Sequence, residues 1–79
     1  MMSLSTIQKL ISESKIKWQY HYAPNGKPFL LGAYKGRTVT IYYFPTRLEY
    51  FLAKYSENYV EGIFFRKYEA MMEWLYRSH

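Results

Sequence analysis

Few side chains in this sequence could perform covalent chemistry. The 79 residues include no cysteine and no aspartate, only two histidines, and six glutamates. Thiolate catalysis, cysteine-based zinc sites and aspartate-dependent phosphoryl transfer are therefore excluded. His21 and His79 are separated by most of the chain, and neither has a second ligand at the spacing of a metal site. The sequence predicts a protein that is not an enzyme and that uses no metal or cofactor.

Aromatic rings and positive charge are abundant instead. The chain has ten tyrosines, five phenylalanines and two tryptophans, and its net charge is +5. Residues 1–47 carry seven lysines and arginines against one glutamate, whereas residues 48–79 carry four against five glutamates. A local positive field attracts phosphate or an acidic protein surface. The alternative is that these lysines only keep strand edges solvated and unpaired.

Length and composition limit the organisation of the chain. A sequence of 79 residues is long enough for one small domain, and we predict a single compact domain over residues 1–79 without a linker. The absence of cysteine is consistent with a cytoplasmic, intracellular protein. No stretch approaches the roughly 20 apolar residues of a membrane span, so we expect no membrane partner.

Hydrophobic periodicity predicts the element order α-β-β-β-α-β-α. The fold class is α+β, with a mainly antiparallel four-stranded sheet packed with helices. The second helix is predicted from a capping box at Thr46–Glu49 and from apolar residues at helical spacing, which are Leu48, Phe51, Leu52 and Tyr55. The strands before and after this helix would be parallel, joined by a right-handed crossover. The predicted helices are residues 4–14 (N-capped by Ser3 or Ser5), 46–55 and 67–77, and the predicted strands are 15–22, 29–34, 38–44 and 59–65.

The register of the first three strands follows from the predicted turns. A two-residue turn at Asn25-Gly26 and a three-residue loop at 35–37 place one set of apolar residues on a single buried face. That set is Trp18, Tyr20, Tyr22, Phe29, Leu31, Ala33, Val39, Ile41 and Tyr43. The opposite, open face then holds Lys17, Gln19, His21, Leu30, Gly32, Tyr34, Thr38, Thr40, Tyr42 and Phe44.

The predicted open face favours nucleic-acid binding. Aromatic rings on a sheet stack bases, and nearby cations neutralise phosphates. The residues predicted for this role are Lys15, Lys17, His21, Tyr34, Lys35, Arg37, Tyr42 and Phe44. The expected ligand is single-stranded RNA or DNA, although no ribonucleoprotein motif, GXXG loop or zinc knuckle is present. Cover by a helix, or burial between two copies, would each remove this surface.

The main alternative is a protein-directed binder. In size and composition the chain is comparable to the small inhibitors of phages and mobile elements, which dock on a host protein or on a protein–nucleic-acid complex of host defence. The predicted interface residues are then aromatics off the inward helical stripes, namely Tyr50, Trp74 and Tyr76. Neither alternative fixes the oligomeric state, which could be a monomer or a homodimer.

Overall fold

The computed structural model describes residues 4–77 as a five-stranded sheet with two helices. The strands follow one another across the sheet in chain order, and every neighbouring pair is antiparallel. The predicted α+β class is therefore confirmed, but the sheet has five strands and not four. The elements are α1 (Leu4–Glu13), β1 (Gln19–Tyr22), β2 (Pro28–Tyr34), β3 (Arg37–Phe44), β4 (Glu49–Ser56), β5 (Tyr59–Phe65) and α2 (Tyr68–Tyr76). The predicted N-cap Ser3 and the terminal His79 lie outside the described residues.

The predicted second helix is wrong, because this segment forms strand β4. Residues 45–48 form a turn instead of a helix start, and Leu48 there has a left-handed φ of 52°. The aromatic residues of this segment favour strand structure, and pairing with both β3 and β5 overrides its helical spacing. The predicted parallel pair and its crossover are absent, because β3, β4 and β5 are consecutive antiparallel hairpins.

The predicted register is wrong by one residue along β2. Tyr22 pairs with Pro28, so five residues separate β1 from β2, and Asn25 Oδ1 accepts a hydrogen bond from Lys27 N at 3.0 Å within that loop. The second connection is the shorter one, since Tyr34 pairs with Arg37 across Lys35-Gly36. These two residues have φ of 51° and 77°, as a tight hairpin turn with two left-handed residues requires. Every side chain of β2 consequently points to the face opposite to the predicted one.

One face of the sheet, which we call the covered face, packs against both helices. Its buried side chains are Leu30, Val39, Ile41, Leu52 and Lys54, and the buried residues outside the sheet are Ile7, Leu10, Ile16, Trp18, Met71, Met72, Trp74 and Leu75. A Cβ at Gly32 would lie 2.8 Å from the Trp18 ring, so the missing side chain leaves room for the indole. The predicted burial of Trp18, Val39 and Ile41 is confirmed, whereas Tyr22 is 67% exposed. None of the helices within residues 4–77 is long and apolar enough to cross a bilayer.

Candidate nucleic-acid interface

The other face of the sheet, which we call the aromatic face, lies opposite the helices. Strand alternation directs the residues next to each buried core residue to this side. One row of directly paired residues crosses all five strands and is aromatic at every position: His21, Phe29, Tyr42, Phe51 and Phe64. Four intervals between adjacent strands give this aromatic row a length of about 19 Å. The aromatic row therefore spans the full width of the sheet.

Small side chains next to the aromatic row make room for its rings. The neighbouring row contains Thr40, Ala53 and Gly62, which pair directly with one another. Thr40 and Ala53 are buried although they lie on the face without helices, because larger neighbours cover them. A Cβ at Gly62 would overlap the ring of Phe51, so that ring lies directly on the backbone of β5. The aromatic face is thus packed mainly by its own side chains.

The rings of the aromatic row differ in how much of their surface is accessible to a ligand. His21 stacks on Phe29 at a centroid separation of 5.6 Å, and Phe29 stacks on Tyr42 at 4.9 Å. Near-parallel rings at these distances cover one another's faces. Phe51 and Phe64 are tilted by 48° at 4.7 Å, and 43% of Phe64 is exposed. A base would therefore stack at the end of the row, on Phe64, or on the outer side of His21.

Cations surround one end of the aromatic face. Lys27 Nζ lies 5.4 Å from the ring centroid of Phe44, and the Arg47 guanidinium lies 4.4 Å from that of Phe64. Arg47 Nε forms an ion pair with Glu49 Oε1 at 2.9 Å, and Arg66 Nε lies 3.9 Å from Glu49 Oε2. We call Lys27, Arg47 and Arg66 the basic rim; its three positive charges exceed the one carboxylate among them.

The negative charge of the protein is placed away from this surface. Five of the six glutamates lie in the two helices, in the β4–β5 turn, or on the covered face, and only Glu49 is at the basic rim. A phosphate approaching the aromatic face would therefore meet a positive field, with a single carboxylate to displace from Arg47.

The structure divides the residues that we predicted for the open face. His21, Tyr42 and Phe44 do lie on the aromatic face. Tyr34 lies on the covered face, where its ring meets that of Tyr76 edge-on at 5.2 Å, so it cannot belong to the same stacking surface. This error has the same cause as the register error in β2.

The predicted cations are dispersed as well. Lys35 is in the β2–β3 turn with its Nζ 5.4 Å from the Tyr34 ring centroid, and Arg37 lies over Tyr59 on the covered side. Lys15 lies between α1 and β1, where its backbone N–H donates to the hydroxyl of Tyr76. Lys17 lines a pocket formed by residues of β1, β2 and β3, most of them on the aromatic face: Gln19, Leu31, Gly32, Ala33 and Thr38. The binding roles of these four cations stay predictions.

The aromatics predicted for a protein interface are less exposed than expected. Trp74 is buried, with its ring 5.8 Å from Phe65, and its carbonyl accepts a 2.9 Å hydrogen bond from Lys54 Nζ. The hydroxyl of Tyr76 donates to Ser14 Oγ, which links α2 to the end of α1. Tyr50 is half-buried on the covered face beside Tyr43. These contacts hold the fold together, and Trp74 in particular is not the exposed aromatic that the sequence suggested.

Sequence reasoning missed much of the surface that the structure brings together. Phe29, Phe51 and Phe64 were not recognised as members of it, nor were the rim residues Lys27, Arg47 and Arg66. The usable signal was the alternation in residues 49–56, where Tyr50, Leu52 and Lys54 alternate with Phe51, Ala53 and Tyr55. Interpreted with a period of two, that pattern would have predicted a strand in which Phe51, Ala53 and Tyr55 share one face.

Burial also affects the ionisation of the aromatic face. Desolvation raises the pKa of the Tyr42 hydroxyl, and the nearby Tyr55 hydroxyl raises it further. Tyr42 is therefore neutral under physiological conditions and adds no negative charge to the surface. Residues 4–77 contain no group of three or more acidic, histidine or cysteine side chains that could hold a metal ion.

Comparisons with known proteins add no relative. No protein-family model, no curated protein and no solved structure matches this chain.

Proposed function

We propose that this protein is a small, non-catalytic binding protein whose aromatic face binds single-stranded RNA or DNA. The observation that carries the proposal is the aromatic row, because five rings cross the sheet on the side that no described helix covers. Sheet-borne rings stack bases without reading their sequence, and each stacked base contributes roughly 1–3 kcal/mol.

The position of the basic rim supports a defined orientation of the ligand. Lys27, Arg47 and Arg66 border the row at the Phe44–Phe64 side, so phosphates would lie at that rim while a base stacks on Phe64. Arg47 would exchange its ion pair with Glu49 for a phosphate contact. Because these contacts release counterions, binding would weaken steeply as salt concentration rises.

Fluorescence anisotropy with a labelled oligonucleotide of about 12 nucleotides, inside the usual site size of roughly 4–16, tests the proposal across a salt series. Phe64→Ala should weaken binding by about 1–3 kcal/mol without unfolding the protein. Tyr59→Ala is the matched control, since Tyr59 is on the same strand, is 49% exposed and faces the other side of the sheet. The absence of binding at low salt, or equal losses in both variants, would contradict the proposal.

A second pair of variants tests the basic rim. Lys27→Gln should reduce the slope of the logarithm of the binding constant against the logarithm of salt concentration by about one, because one phosphate contact is lost. Lys9→Gln is its control, because Lys9 also lies over a ring, 5.6 Å from the centroid of Tyr68, but on α1. A slope that both variants reduce equally would mean that total charge, and not the rim, governs binding.

Docking on another protein is the second candidate function, of the inhibitor or accessory type. The mutual stacking of His21, Phe29 and Tyr42 favours it, because ring edges and half-exposed apolar surface suit a protein partner better than intercalated bases. Affinity capture from the native host, with and without nuclease, distinguishes the two functions. Capture that survives nuclease would indicate a protein partner, and capture that nuclease abolishes would indicate nucleic acid.

A further inference from the structure

Strand β5 is an unprotected edge of the sheet. It forms hydrogen bonds to β4 on one side, and no other strand within residues 4–77 pairs with its outer side. Its seven residues contain neither lysine nor proline, the residues with which proteins commonly block strand edges. The opposite edge, β1, has only four residues. A long edge without such protection is a template for an additional strand.

The side chains along β5 are apolar and exposed on both faces of the sheet. Val60 is 66% and Phe64 43% exposed on the aromatic face, while Tyr59 is 49% and Ile63 36% exposed on the covered face. Gly62 at the centre carries no side chain beyond the backbone, so another strand can approach closely there. A strand added at this edge would bury apolar surface on both sides of the sheet at once.

The charges along residues 57–67 are complementary between two copies of the segment only when the copies run antiparallel. Glu57 lies in the β4–β5 turn just before β5, Glu61 lies in the first half of the strand, and Arg66 and Lys67 follow its end. In an antiparallel pair of two identical segments, the acidic end of each copy lies beside the basic end of the other. A parallel pair would place like charges together.

We propose that a second copy of this chain pairs antiparallel along β5, about a two-fold axis at Gly62. In this register Val60 of each copy lies opposite Phe64 of the other, so the same apolar pair forms twice. Even-numbered residues of one copy pair with even-numbered residues of the other, and odd-numbered with odd-numbered. The same faces of the two sheets are therefore continuous, with both sets of helices on one side and both aromatic faces on the other. The product is a continuous ten-stranded sheet, and this inference does not depend on what the aromatic face binds.

Sedimentation velocity over a concentration series measures the dimer directly. We expect a concentration-dependent species of twice the chain's mass. Val60→Lys removes both Val–Phe pairs and should raise the dimer dissociation constant about tenfold. Leu48→Lys is the matched control, because Leu48 is 67% exposed and lies in the β3–β4 turn away from β5. It should leave the dissociation constant unchanged, and both variants should melt like the wild type when dilute.

A charge exchange tests the antiparallel arrangement without touching the apolar pairs. Glu57→Lys and Lys67→Glu should each weaken the dimer, and the double variant should restore it, because opposite charges again meet across the two-fold axis. A protein that stays monomeric at the highest attainable concentration overturns the proposal, and the β5 edge would then be left to a strand of another protein. A dimer that Val60→Lys does not affect, or that the double variant does not restore, overturns it equally.

Discussion

The two faces of the sheet are built on different principles. The covered face is mostly aliphatic at its centre, with Leu30, Ile41 and Leu52 fully buried under two helices. The aromatic face has rings of similar or larger size, but none of them is fully buried, and they pack on one another over small residues. Helices that bury one side of a small sheet supply its core. The rings of the other side therefore contribute less to the core, and removing one should cost less stability.

The largest expected difference is between one residue from each face. Leu52→Ala should cost about 2–5 kcal/mol, because it leaves a cavity in the centre of the core. Phe64→Ala should cost only about 1 kcal/mol, mainly the loss of its ring contacts with Phe51 and Phe44. Chemical denaturation of both variants gives the two values. Equal losses would mean that the aromatic face is a second core and not a binding surface.

The two helices that pack on the covered face could be predicted from the sequence. Residues 4–14 and 67–77 have an apolar stripe at a helical period, and Met71 and Leu75 are buried as that stripe predicts. The segment 48–55 fits a helical stripe and an alternating strand equally well, so local pattern could not decide between them. Pairing with β3 and β5 decided it, and those contacts come from distant parts of the chain.

The aromatic face could not be predicted because its composition depends on two turns. Counting Asn25-Gly26 as a two-residue turn shifts β2 by one residue and exchanges Phe29 with Leu30 between the faces. The side chain of Asn25 instead supports a longer loop through its bond to Lys27 N. Since one residue reverses a whole strand, His21 and Tyr42 were placed correctly while their neighbour Phe29 was not.

A pair of glycines offers a finer comparison of the two faces. A Cβ at Gly32 would lie 2.6 Å from Ile16 Cγ2 and 2.8 Å from the buried Trp18 ring, so Gly32→Ala should cost about 1–3 kcal/mol through overpacking. A Cβ at Gly62 would overlap only Phe51, which is half-buried and can rotate toward solvent. We expect Gly62→Ala to cost less by thermal denaturation, and to weaken ligand binding through the displaced ring. A larger loss for Gly62→Ala would show that Phe51 is held as rigidly as the core.

Lys54 is the one charged residue among the buried side chains of the covered face within residues 4–77. It is 3% exposed, its Nζ donates to the carbonyl of Trp74 at 2.9 Å, and the same atom lies 4.0 Å from the Trp74 ring centroid. The amine thus binds the C-terminal turn of α2 at a carbonyl that also accepts a 3.2 Å hydrogen bond from Arg77 N, and its positive charge is favourable at that end of the helix. Burial lowers the pKa of Lys54 from its ordinary value of 10.5; Glu61 opposes this shift, and Arg37 and Arg77 add to it.

The smallest expected effect is the replacement Lys54→Met, which keeps the length and apolar stem of the side chain but removes its charge. At neutral pH the free energy of unfolding should change by about 1 kcal/mol or less, since the lost hydrogen bond is offset by the avoided burial of a charge. The pH dependence is more diagnostic. The pKa of Lys54 in the folded protein lies below its value of 10.5 in the unfolded chain. Between these two pKa values the unfolded chain binds more protons than the folded protein, so the free energy of unfolding rises with pH up to 10.5.

That contribution is complete above 10.5 and is lost as the pH falls through the lower folded pKa of Lys54. Buried tyrosines act in the opposite direction, since burial raises the pKa of Tyr42, Tyr50 and Tyr68, but they are common to both proteins and cancel in the difference. Urea denaturation from pH 8 to 10.5 should therefore show that the free energy of unfolding of the wild type rises relative to that of Lys54→Met as the pH increases. A constant difference over this range would mean that Lys54 is hydrated in solution, and that the covered face is open where α2 ends.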